Sequence, residues 1–275
     1  GEWLTDAVDD VSGEYDIDQN GTPDEINNGC ETCHGPGSDH ETWASNPAHA
    51  GHQRRYIVQP KRLSPEREVM ICARCHGRVV GHGTIANEEP LDSQNRMAPV
   101  GISRQAFLAN YTTQKGPAAS DMWSDGLHSK NQHQQANDLV ASLMHRNDQI
   151  MVTCSDCHDA HGFTSYQHHL TGDPTDPASS LCLRCHAVDV IPHMIEKTGA
   201  THGGSSTQCV FCHMSKTAQT GAGHYGFVLG TPTGTVGDNL ITYYENDLAS
   251  HLFQVPRKDN PSVAHIQPAF AMPIP

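Results

Sequence analysis

All ten cysteines of the chain fall in five Cys-x-x-Cys pairs, and a histidine follows each pair at once. The strings are Cys30-Glu-Thr-Cys33-His34, Cys72-Ala-Arg-Cys75-His76, Cys154-Ser-Asp-Cys157-His158, Cys182-Leu-Arg-Cys185-His186 and Cys209-Val-Phe-Cys212-His213. Zinc ribbons, redox dithiols and structural disulfides also use Cys-x-x-Cys, but none of them requires histidine next. Histidine is 20 of 275 residues, so five coincidences at that position have a chance on the order of one in a million. The string is the attachment site of c-type haem: two thiols bond the porphyrin edge and the histidine ligates iron from one face. Five covalent haems are therefore expected.

That expectation bounds the fold. Apolar residues are 36% of the chain and aromatics 6%, which is thin for a globular protein of this length. Porphyrin faces supply the missing apolar surface, so the chain is expected to fold around its haems and to be largely unfolded without them. With 24 glycines and 17 prolines, few windows keep a helical period. The predicted class is mainly irregular with short α-helices and little β, a haem-organised cytochrome. The best helix candidates are Asn137 to His145, Ser180 to His186 and Val190 to Lys197; strand signals are confined to Gly226–Leu229 and Leu240–Tyr244.

The motifs divide residues 1–275, read as one pentahaem unit, into an N-terminal segment (1–29), haems 1 and 2 (30–82), a haem-free connector (83–153), haems 3 to 5 (154–224) and a tail (225–275). The tail is rich in Gly, Pro and Thr and ends in the apolar run from Ala269 to Pro275. Within the first segment, Asp16, Asp18, Asn20, Thr22 and Asp24 alternate around Gly21. Oxygens so spaced match the first half of a calcium loop, although Asn27 stands where an EF-hand places a bidentate glutamate. A calcium site and a plain acidic turn both fit this pattern.

The formal charge is −14. Two propionates per haem, offset by the ferric porphyrin's single positive charge, take it to about −19 oxidised and about −24 reduced. Nucleic acid is excluded as a natural partner on that balance. No run approaches eighteen apolar residues, so no membrane span is expected. The chain begins with Gly1 and shows no apolar leader, as a processed mature form would. The attachment chemistry resembles that of cytochromes matured beyond the cytoplasmic membrane, which implies export to the periplasm or the cell surface.

Fifteen further histidines can supply second axial ligands, three times the number five irons need. Two imidazoles per iron suit electron transfer, because no coordination position is open; methionine is the rival ligand. Several strings carry a resemblance: Cys33-His34-Gly-Pro-Gly-Ser-Asp-His40, Ile57 to Pro65 ahead of Cys72, Trp123-Ser-Asp-Gly126, Ser142-Leu-Met-His145, Cys157-His158-Asp-Ala-His161-Gly162, His202 ahead of Cys209, and Asp247 to Phe253. Together, across roughly residues 29 to 255, they resemble a multihaem c-type cytochrome family that includes the tetrahaem electron acceptor of hydroxylamine oxidoreductase and filament-forming surface cytochromes. The resemblance implies distal ligands at His40, His145, His161 and His251, and His202 and His224 complete the candidate set. Met214-Ser215 departs from the family's Met-Pro, His82 is an extra candidate beside the second motif, and His49 follows Trp43 at a spacing that suits ligation.

Two function classes follow. An electron carrier keeps every iron closed, and the surplus of histidine favours it; a multihaem oxidoreductase acting on a nitrogen or sulfur oxyanion would leave one iron open. Within the carrier class, the resemblance and the apolar tail point to a filament subunit whose partners are copies of itself, since a heterologous interface that does not close generates a fibre. The alternative is a discrete periplasmic shuttle docking on other redox proteins.

Overall fold

The computed structural model describes residues 29–50, 54–84, 90–113, 116, 118–123, 125–174, 181–186, 209–218, 225–229, 240–244 and 248–254. The acidic loop from Asp16 to Asp24, His202, His224, the Val190–Lys197 helix candidate and the tail beyond residue 254 lie outside them. Between the short elements the described chain is mostly turns and irregular backbone, as expected. Among the described residues no helix is long and apolar enough to cross a membrane.

Contacts gather into two compact units, residues 1–62 with 99–101, and residues 63–98 with 102–275. In the first, α1 (Cys30–His34) and α2 (Ser38–Ala44) are followed by one-turn 3-10 helices at Pro47–His49 and Pro60–Arg62. Neither α1 nor α2 buries a residue. Gly35 stops α1 at φ 77, a left-handed conformation that side chains resist.

The second unit has a conventional core. Its longest helix, α3 (Pro65–His76), opens with Ser64 extended, Pro65 in the first turn and Glu66 and Glu68 at its positive end. Gly77 follows because a Cβ there would meet the Ala73 carbonyl oxygen at 2.7 Å. Val69, Met70 and Ala73 pack with Ala98, with Phe107 of α4 (Arg104–Asn110) and with Ala136 and Leu139 of α5 (Gln135–Ala141). The connector between the two haem clusters is thus the packing partner of a haem-bearing helix.

The expected helix from Asn137 to His145 is corrected to two, α5 and α6 (Leu143–Arg146). Ser142 breaks it: extended at ψ 155, it donates to the Leu139 carbonyl at 2.6 Å and accepts from the His145 amide at 3.3 Å. One side chain ends a helix and caps the next. Further along come α7 (Cys154–Cys157), α8 (Leu183–His186, the described end of the Ser180–His186 expectation) and α9 (Cys209–His213). Strand β1 (Lys216–Ala218) pairs antiparallel with β4 (Leu248–Ala249), and β2 (Tyr225–Leu229) with β3 (Leu240–Tyr244) in register Leu229↔Leu240. The β2–β3 pair falls where strand signals were read, whereas α3, α4, β1 and β4 were not anticipated.

Candidate haem-binding sites

Each Cys-x-x-Cys-His string is built on a helical turn: α1, the last turn of α3, α7, α8 and α9. Residues at i, i+3 and i+4 share one helix face, so the turn presents two thiols and an imidazole to one flat group. Cys30, Cys33, Cys72, Cys75, Cys154, Cys157, Cys182, Cys185 and Cys209 stand outside any disulfide, and none is fully buried. Among the described residues no cluster of three or more His, Cys, Asp or Glu side chains is arranged to hold a bare metal ion. Thiols of the second and third strings come together: Cys72 hydrogen-bonds Cys154, which pulls Cys72 down and pushes Cys154 up in pKa. Burial and the neighbouring Asp156 push Cys157 up to about 11.

The imidazoles carry a second signature. A ligand histidine bound through Nε2 donates its other ring N–H to a carbonyl or carboxylate, which fixes both tautomer and orientation. Among the string histidines, His34 donates from Nδ1 to the Val58 carbonyl at 2.7 Å, His158 to the His168 carbonyl at 2.8 Å and His213 to the Phe253 carbonyl at 3.3 Å. Among the expected second ligands, His40 donates to Arg55 at 2.8 Å, His145 to Val152 at 2.7 Å and His251 to Ala249 at 3.1 Å. With the proton on Nδ1, Nε2 is the basic nitrogen of each neutral ring. His161 is exposed, with Nδ1 3.6 Å from Asp159.

In the first unit, His34 and His40 line one open cavity of about 460 Å³ with Ile57, Gln59, Arg54, Lys61 and Arg62. Two imidazoles, the apolar Ile57 and three cations are groups that suit a haem with its two carboxylates. His49, which the sequence marks by its spacing after Trp43, meets the same criterion. It donates from Nδ1 to the Trp43 carbonyl at 2.8 Å and stacks on the Trp43 ring at 4.3 Å and 8°.

In the second unit the rings of His158 and His251 lie 6.3 Å apart at 27°. Two metal–nitrogen bonds of about 2.0 Å plus the two ring radii come to about 6 Å, so the separation accommodates one iron. Burial first, then the charge of His158, pushes His251 down to about 4. His76 is likewise lowered, by the protein around its partly open ring and then by His133 and His158, although the nearby Gln135 side chain opposes the shift. Both are neutral at neutral pH, the form that binds iron. His133 is therefore a neighbour of the second string that the sequence does not mark; its one visible sign is a left-handed backbone at φ 61.

Other histidines are engaged elsewhere. His82 spends Nε2 on the Thr112 carbonyl at 3.1 Å. His128, 2% exposed, uses Nδ1 on Asp125 at 2.7 Å and Nε2 on the Gln254 carbonyl at 3.3 Å. Burial opposes protonation of His128, but the hydrogen bond and charge of Asp125 outweigh it and its pKa is raised; Asp125 is correspondingly lowered despite burial.

Against known proteins, residues 147–190 match the family model described as "Doubled CXXCH motif". No curated protein and no solved structure matches the chain. The match spans the third and fourth strings with the residues around them, and it supports a c-type multihaem cytochrome. The site chemistry is accordingly covalent haem c with iron, and its class of activity is electron transfer.

Proposed function

We propose that the chain binds five haems c, each iron held between two histidines, and conducts electrons along them as a subunit of an extracellular cytochrome filament. Haem iron supplies the one-electron couple when bound; the protein's part is to anchor, ligate and shield it. The observation that carries this reading is the repeated helical turn whose described cysteines stand outside any disulfide, joined to the Nδ1–carbonyl lock at His34, His158 and His213. His40 is the proposed second ligand beside His34, and His251 the one opposite His158. His145, His161, His202 and His224 remain candidates, with His49 strengthened and His133 added on geometric grounds. Closed irons favour a carrier over an enzyme.

Polymerisation rests on the resemblance and on the apolar end of the tail, and export on the attachment chemistry. Copies of the chain and other redox proteins are the proposed partners. Intact mass spectrometry of natively produced protein should show five haem adducts; fewer adducts, or zinc, would overturn the haem count. Electron microscopy should show helical fibres, and uniform small particles at high concentration would remove the filament while leaving the carrier. Calorimetry with calcium separates the two readings of the Asp16–Asp24 loop.

A further inference from the structure

We infer that Asp138 is the positioning residue for His251, holding the backbone that aims this imidazole at its iron. Asp138 lies on α5 and is 3% exposed. Its Oδ2 accepts from the Ser250 hydroxyl at 3.0 Å and from the His251 amide at 3.2 Å, while Oδ1 accepts from the Ser129 hydroxyl at 3.2 Å. Ser129 and Ser250 are themselves 0% and 1% exposed. A buried carboxylate closed by three donors is costly to disturb, because each donor left behind loses its acceptor.

His251 needs this support. Its Nδ1 bonds the Ala249 carbonyl only two residues back, so the ring is oriented by its own short segment and follows that segment's position. Three contacts fix the segment from outside: Asp138, the Ser250 amide donating to the Ser215 carbonyl at 3.0 Å, and His128 donating to the Gln254 carbonyl at 3.3 Å. A fourth, from the Trp123 indole to the Thr217 carbonyl at 2.7 Å, ties down the paired strand. Of these, the Asp138 carboxylate alone reaches the ligand residue itself. Because α5 packs against α3, the same helix that supports the second haem string sets the ligand of the third.

The inference rests on His251 being an axial ligand, and the experiment separates the two claims. Haem-loaded chains carrying H251A, D138A, D138N and the H251A/D138A pair are compared with the parent for carbon monoxide bound per chain when reduced and for high-spin ferric signal. H251A should open one additional haem. D138A should open the same haem, partly or fully, and the pair should open no second one, because both changes act on a single site. D138N, which keeps shape and one acceptor oxygen, should give a smaller fraction of the same signal, and it carries the test if D138A yields no loaded protein. If H251A opens a haem while D138A and D138N leave every haem closed, the positioning role is refuted. Several haems opening together in D138A would indicate general collapse and refute it equally. If H251A opens none, the ligand assignment fails and the inference with it.

Discussion

The two units solve one problem by different means. In residues 29–62 a single haem string sits among short helices that bury nothing, and its two ligand candidates share an open cavity rimmed by Arg54, Lys61 and Arg62. In the second unit Val69, Met70, Phe107 and Leu139 form a packed core, and the haem strings of α3 and α7 are fastened to it. Glu68, itself buried, accepts from the Thr153 hydroxyl at 3.0 Å and from that of Ser155, the two residues flanking Cys154. The first unit leaves its interior to the prosthetic group, while the second holds its haem turns with side chains. Dependence on haem should differ accordingly.

The largest expected contrast comes from removing an attachment point. The pair Cys30→Ala and Cys33→Ala should bring hydrogen exchange of the α1 and α2 amides close to the unfolded limit, while α3 to α5 stay protected. Equal protection in α1 and α2 with and without the thiols would erase the distinction. Next, Phe107→Ala should cost about 3–5 kcal/mol in the second unit, read as a lower denaturation midpoint, with the absorbance of the first haem unchanged. A smaller loss, about 1–3 kcal/mol, is expected of Glu68→Ala, which removes the acceptor of the Ser155 hydroxyl and one of the two acceptors of the Thr153 hydroxyl. It should loosen the second and third haem turns together; a change confined to one would show that Glu68 does not join them.

The smallest effect is a pH dependence within the second unit. The pKa of His128 is raised, so its charged contribution is complete below the ordinary histidine value and fades as pH climbs through the folded one; that of Asp125 is lowered, so its contribution is present above the ordinary carboxylate value and fades as pH falls. The melting-temperature deficit of Asp125→Asn should therefore be greatest between the ordinary carboxylate and histidine values, about pH 4 to 6.5, and shrink as pH rises beyond that window. A deficit that grows with pH would contradict the pairing.

Much of the site was legible because haem attachment is a local property: two thiols and an imidazole within five residues need one helical turn and nothing distant. The β2–β3 pair was legible for the same kind of reason, as two short apolar runs. The helix from Asn137 to His145 was read too long because nothing in its period marks Ser142 as both stop and cap. Helix α3 has only Ser64-Pro65-Glu66 as a start signal, and its central residues include the buried Glu68, whose partners Thr153 and Ser155 lie far along the chain.

The amino-acid order by itself determined how many haem strings exist and which atoms they offer to haem, since these follow from spacing within a single turn. Tertiary structure decided which histidines donate from Nδ1 to a backbone carbonyl and which, like His82 and His128, spend Nε2 on one. It also decided that Asp138 stands behind His251 from 113 residues away. Ligand choice depends on where the other ring nitrogen finds its acceptor, and that acceptor is placed by folding.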